Sequence, residues 1–422
     1  MPNNGYINHK DTLFGKICLI LYEIKSPFST MKPTFTTIIA LLLTIFSLRA
    51  QSEQPEEIIP ADKRLPEYIH LLEGRRVGVL TNHTAVVDGV HLVDTLLHSG
   101  IDVKLIFAPE HGFRGTADAG EHIASSRDAY TGIEIVSLYG SSRQPKANDV
   151  FKCDVVVVDI QDVGVRFYTY LSTLYLMMQT CADVGVPMLL LDRPNPNGMY
   201  VDGPIIEEQY RSFVGMLPIP VVHGMTLGEL ARMINGEGWL RDGVKASLTV
   251  VPCLNYRRSM HYELPIAPSP NLPNALSVAL YPSLCYFEGT SVSVGRGTEW
   301  PFQILGHPAM AGDFGFTPQS RPGAKTPPHQ DKSCKGEDLR QKSIEEVVKQ
   351  GIDLSYLVDA YRTLSAKGEQ FFLGSFFEKL IGVGYVRDMI EMNYTAEEIE
   401  AMWADDVRNF CQQREKYLIY ED

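Results

Sequence analysis

The sequence predicts an α/β protein: a Rossmann-like parallel sheet followed by a smaller α+β auxiliary domain, with an active-site cleft between them. Short Val, Leu and Ile runs without polar alternation, such as Val155-Val-Val-Val-Asp159 and Met188-Leu-Leu-Leu-Asp192, read as strands buried on both faces. Helical stretches separate these runs, and strand–helix alternation yields a parallel sheet with crossover connections. After Asn197-Gly198 the texture shifts toward proline, glycine and aromatic residues, which marks a second region.

The elements follow in order. Residues 1–50 hold an upstream extension and, from about Met31 to Ala50, an apolar stretch behind Met31-Lys32 that ends before polar Gln51-Ser-Glu-Gln. Its length and flanks are those of a cleavable secretory signal, implying a periplasmic or secreted protein with no stable membrane insertion after cleavage. Residues 51–205 are expected to form the catalytic domain. Strands are predicted at Val77–Thr81, Val103–Phe107, Ile133–Leu138, Val155–Asp159 and Met188–Asp192, and helices at His91–His98 and Leu171–Val184. Residues 206–422 are expected to form the auxiliary domain. There the capping box Thr226-Leu-Gly-Glu229 opens a helix to about Asn235, and Leu248–Val251 is a strand. Pro265–Pro308 reads as loops draped over a site, Pro318–Glu337 as an exposed excursion, and Thr395-Ala-Glu-Glu398 as the start of a long amphipathic terminal helix.

Charge narrows the partners. Of 38 basic and 51 acidic residues, five and two lie in residues 1–50, leaving 33 and 49 and a net charge of −16. Such a chain repels nucleic acid and anionic membranes at long range, and an anionic ligand would need a local arginine. The six cysteines beyond residue 50 are scattered singly, several in apolar runs, and are expected to be mostly buried free thiols.

Parallel strands place their C-terminal ends on one sheet edge, where ligands bind. The predicted exits are Asn82-His83, Glu110-His111, Tyr139-Gly140, Asp159-Ile-Gln-Asp162 and Asp192-Arg193-Pro-Asn195-Pro-Asn197, enough polar groups for a cleft. Glu110, at the mouth of an apolar strand, suits a general acid whose pKa burial would raise, or a carboxylate that pairs with Arg114. Arg166, Tyr168 and Tyr170 suit either ligand contact or packing at a helix start. His83, His111, His122 and His223 fit no metal-ligand spacing, so no metal is expected. Gly382-Val-Gly384 lacks the rest of a dinucleotide fingerprint, and neither a phosphate-binding loop nor Gly-x-Ser-x-Gly is present, so no cofactor is expected.

Taken together, Pro-Glu110-His-Gly-Phe-Arg-Gly, Asp159-Ile-Gln-Asp-Val-Gly-Val-Arg-Phe-Tyr-Thr-Tyr, Asp192-Arg-Pro-Asn-Pro, Ser269-Pro-Asn-Leu-Pro and Glu288-Gly-Thr with Gly-Arg296-Gly-Thr form a distinctive set. From about Leu65 onward the chain resembles the NamZ-type exo-β-N-acetylmuramidases. The resemblance implies release of terminal, non-reducing N-acetylmuramic acid from peptidoglycan-derived glycans, with Glu110 as the catalytic glutamate. Glycosidic cleavage also needs a second group; Asp162, Glu288, Glu299 or the substrate's 2-acetamido group are candidates, Asp162 first. The lactyl carboxylate of the substrate calls for Arg114, Arg166, Arg193 or Arg296. Asn82, His83, His111, Tyr168, Asn195, Asn271 and Glu288 complete the expected substrate contacts. Two rivals stay open: a non-catalytic periplasmic binding protein for cell-wall fragments, and a metal-dependent amidase or esterase.

Overall fold

The computed structural model describes residues 57–113, 125–140 and 142–422, so the signal segment and Arg114 lie outside the described residues. In chain order the first strands are β1 (Arg76–Thr81), a short antiparallel hairpin of β2 (Val86–Val87) and β3 (Val90–His91), β4 (Asp102–Ala108), β5 (Ser126–Arg127), β6 (Glu134–Ser137), β7 (Val155–Asp159), β8 (Met188–Leu191) and β9 (Leu248–Val251). Seven of them form one sheet in the order β5-β6-β4-β1-β7-β8-β9, parallel throughout except at β5. The strand order turns back on itself between β1 and β7, the Rossmann arrangement.

Burial explains the unalternating runs. Val155 and Val157 of β7 face one core, with α1 (Leu92–His98), while Val156 and Val158 face the other, with α2 (Tyr170–Val184) and α3 (Leu227–Gly236). A strand covered on both faces has no side to leave polar. The Thr226–Glu229 capping box forms, with Thr226 Oγ1 accepting from the Glu229 amide.

The second core continues into the rest of the chain, and residues 58–422 are one compact unit. β9 lies beyond residue 205, so the sheet takes its last strand from the later region. That region adds α4 (Ala275–Leu284), a three-stranded antiparallel sheet of β10 (Ile304–His307), β11 (Phe314–Phe316) and β12 (Cys334–Asp338), α5 (Ser355–Ser365) and α6 (Phe376–Ile381). The six cysteines beyond residue 50 are free, five of them buried.

Three expectations need correcting. The segment read as loops contains α4, capped by Asn274, whose side chain accepts from the Ser277 amide. Residues 318–337 are not a bare excursion, since they include most of β12 and reach the cavity described below. The terminal helix is broken into Ala396–Glu400 and Ala404–Arg414, because Trp403 turns inward and donates its indole N–H to Asp202 Oδ1 at 2.8 Å.

Candidate active site

Beyond β4 the chain makes a tight turn: the Gly112 amide donates to the Pro109 carbonyl at 3.0 Å, and His111 takes a φ of 69°. A left-handed histidine costs about 1 kcal/mol or more and persists where the surroundings dictate it. The turn leaves Glu110 only 8% exposed. Thr169 Oγ1, at the start of α2, donates to Glu110 Oε2 at 2.7 Å. The Tyr139 phenol, from the β6 exit, also hydrogen-bonds Glu110; burial, then the adjacent carboxylate, pushes its pKa well above the usual tyrosine value. Below, Tyr170 donates to the Glu110 carbonyl at 3.3 Å and accepts from Asn82 Nδ2 at 2.7 Å.

Glu110 lines a cavity of about 400 Å³. One wall is Glu110, His111 and Tyr139, and a second is Phe167, Tyr168 and Thr169. The opposing walls come from the later region: Ser269 and Asn271, then Tyr281, Cys285 and Glu288, then Arg296 and Phe302. Residues 323–328 and Phe376 complete it. Asn271 is anchored by its Nδ2 donating to the Gly323 carbonyl at 2.8 Å, and Tyr168 by its hydroxyl donating to the Pro268 carbonyl at 2.9 Å. Arg296 Nε donates to Glu288 Oε1 at 2.6 Å, and the guanidinium carbon lies 5.2 Å from the Phe302 ring centroid. The Cys285 thiol is held protonated, burial raising its pKa well above the ordinary value.

Six of the expected residues therefore meet on the cavity wall: Glu110, His111, Tyr168, Asn271, Glu288 and Arg296. Arg114 lies outside the described residues, and the other expected residues do not line the cavity. Asp162 faces a separate pocket of about 10 Å³; its Oδ2 accepts from the Gly164 amide at 2.7 Å, and burial pushes its pKa up to about 7. As a second catalytic carboxylate it is misplaced. Asn195 donates to the Met225 carbonyl at 2.9 Å, and its side chain fills the space that a Cβ on Gly164, at φ 78°, would need. Arg166 is no ligand cation, for its terminal nitrogens donate to the carbonyls of Pro204, Ile219, Leu380 and Ile381 at 2.7–3.1 Å. Gly382, at φ 91°, is required beside it because any side chain would strike that guanidinium. Arg193 is bound between Asp62 and Asp159, and Asn82 supports Tyr170 from below. His83 holds Nε2 on the Ala267 carbonyl at 2.8 Å; burial, opposed by that bond, lowers its pKa, with His111 adding to the effect. Glu299 pairs with Arg321 at 3.3 Å in a neighbouring groove that shares Asn271 and Ala324 with the cavity.

Residue-level reasoning missed Thr169, Lys325 and Phe376. Thr169 opens a predicted helix and could have been suspected as a donor there, whereas Lys325 lies in a polar stretch with no distinguishing signal.

Residues 77–276 match the N-terminal description, and residues 279–420 the C-terminal description, of the exo-beta-N-acetylmuramidase NamZ. The chain belongs to the NamZ family. A curated relative, the peptidoglycan beta-N-acetylmuramidase NamZ of Bacillus subtilis strain 168, is 36% identical over 407 residues, covering 92% of this chain and 97% of the relative. Two solved DUF1343 family proteins of Bacteroides fragilis NCTC 9343 share the fold. One is 49% identical with a TM-score of 0.81, covering 87% of this chain and 100% of its own. The other is 27% identical with a TM-score of 0.72, covering 86% and 99%. Both NamZ regions contribute cavity walls, Glu110 from the first and Arg296 from the second.

Proposed function

We propose that this NamZ-family protein is a peptidoglycan β-N-acetylmuramidase that removes terminal, non-reducing N-acetylmuramic acid, with Glu110 as general acid and base. The observation that carries the reading is the Glu110 carboxyl fixed by Thr169 and Tyr139 on the wall of a cavity large enough for a substituted amino sugar. A cavity walled by segments from both regions suits the terminal sugar of a chain. Protonation of the leaving glycosidic oxygen by Glu110 would let the C1–O bond break, and water would then complete hydrolysis at C1.

The two carboxylates among the described wall residues are Glu110 and Glu288, and Glu288 is neutralised by Arg296. That arrangement favours the substrate's 2-acetamido oxygen as the group that attacks C1, with Glu110 next activating the water. The segment from Met31 to Ala50 supports export, so the reaction belongs in the periplasm or outside the cell, where it would return muramic acid for cell-wall recycling. No helix among the described residues is long and apolar enough to cross a membrane.

Incubating the purified protein with an N-acetylmuramic acid–β-1,4-N-acetylglucosamine disaccharide and weighing the products tests the reading. Free N-acetylmuramic acid and N-acetylglucosamine are expected, with chelators having no effect. Tight binding without turnover would sink the enzymatic reading and favour a binding protein.

A further inference from the structure

We infer that Arg296, oriented by Glu288, is the carboxylate-reading subsite of the cavity and engages the lactyl group of a muramic acid residue. This inference rests on the muramidase reading above and adds the group that separates muramic acid from glucosamine.

The acidic chain must offset its own long-range repulsion of a carboxylate with a local cation. Arg166 spends its terminal nitrogens on four backbone carbonyls, and Arg193 is sealed between two aspartates. Among the described residues the cations on the cavity wall are Arg296 and Lys325. Of these two, only the arginine carries a planar fork, and that of Arg296 is held in place. Its Nε is bound to Glu288 at 2.6 Å, and Phe302 lies against the guanidinium, whose side chain is 17% exposed. Hydrogen bonds from Arg296 to other described residues use Nε alone, so both terminal nitrogens keep their donors for a ligand. A guanidinium whose geometry is set beforehand loses little freedom when it takes a carboxylate in two parallel hydrogen bonds.

The protein itself shows the completed arrangement. At Arg193, Nε binds Asp159 and a terminal nitrogen binds Asp62 at 2.6 Å, so one guanidinium holds two carboxylates. Arg296, on the cavity wall, makes a single such bond, from Nε to Glu288, and its two terminal nitrogens bond no other described residue. Glu288 is then a positioning residue, and its charge is matched before the ligand arrives.

The test compares aryl β-glycosides of N-acetylmuramic acid and N-acetylglucosamine on the wild type and on Arg296→Met, Arg296→Lys and Glu288→Gln. The wild-type preference in kcat/KM for the muramic glycoside should collapse by about 100-fold in Arg296→Met, as expected for losing charged hydrogen bonds. Arg296→Lys should retain part of it, and Glu288→Gln should fall between. The methyl ester of the lactyl group, tested on the wild type, should lose a comparable factor, and this arm stands even if a variant does not fold. An equal loss on both glycosides, or an ester hydrolysed as well as the acid, overturns the inference while leaving the muramidase reading intact. Absence of wild-type turnover on either glycoside strikes that reading instead; calorimetric binding of free N-acetylmuramic acid against its methyl ester then decides the subsite.

Discussion

Two clusters of polar side chains occupy the same edge of the sheet and meet opposite fates. At the ends of β1, β7 and β8, the side chains of Asn82, Gln161, Asp162, Arg193, Asn195 and Asn197 are buried and bonded to the protein's own groups. Gln161 Nε2 donates to the Asp162 and Pro194 carbonyls at 2.9 Å each, Asn197 Nδ2 donates to the Val163 carbonyl at 2.9 Å, and about 10 Å³ is left, room for a single water. Beside the ends of β4 and β6, by contrast, about 400 Å³ stays open next to Glu110. The crevice rule places ligands where the strand order reverses, between β1 and β7. Here that crevice is filled with the protein's own groups, and the cavity lies to one side. A strand-end position marks candidates; what the following segment does decides which of them meet solvent.

Removing the acid at the open end should have the largest effect. Glu110→Gln is expected to lower kcat/KM on a chromogenic muramic acid glycoside by roughly 1,000-fold, the scale of general acid catalysis, with an unchanged melting temperature. Near-normal turnover would move the catalytic role elsewhere on the wall. At the filled end, Arg193→Met leaves Asp62 and Asp159 buried without their cation and should cost about 3–5 kcal/mol in urea unfolding. A loss of activity per folded molecule, with little loss of stability, would show that this cluster is not merely structural.

The third way to sharpen the contrast is pH. Asp162 is raised from 3.8 to about 7 by burial, so the fold favours its protonated form. The stability this supplies is complete below about pH 4 and is lost as pH rises through 7, by up to about 4 kcal/mol. Asp62 and Asp192, each raised to about 6 chiefly by burial, act in the same direction. The melting temperature should therefore fall from pH 5 to pH 8, and Asp162→Asn should flatten that fall. An unaltered slope in the variant would mean that Asp162 is ionised and compensated.

Much of the parallel sheet and of the helices beside it was legible because the signals there are local. Four consecutive valines need cover on both faces, and Thr226 with Glu229 carries its own helix start. Glu110 was legible for the same reason, standing directly after a strand. Elsewhere the sequence hid more. α4 is apolar on nearly every side and contains Pro282, so neither periodicity nor composition announces a helix. Arg166 and Arg296 both follow shortly after glycines, yet one bonds a carbonyl 215 residues away and the other lines the cavity. No spacing distinguishes them, since the difference is made by which distant chain arrives to meet each guanidinium.

The Arg166 clamp has a mechanical consequence. Its four carbonyl partners come from the segments at Pro204 and Ile219 and from the end of α6, tying the chain beyond β7 to the C-terminal helices through a fully buried charge. Swinging the C-terminal helices away would break the bonds to Leu380 and Ile381 and leave a buried guanidinium short of partners, a cost of several kcal/mol. The molecule is thus bolted rather than hinged. Its cavity must load and empty through its mouth, as a socket does, and not by the jaw motion of a clamshell receptor.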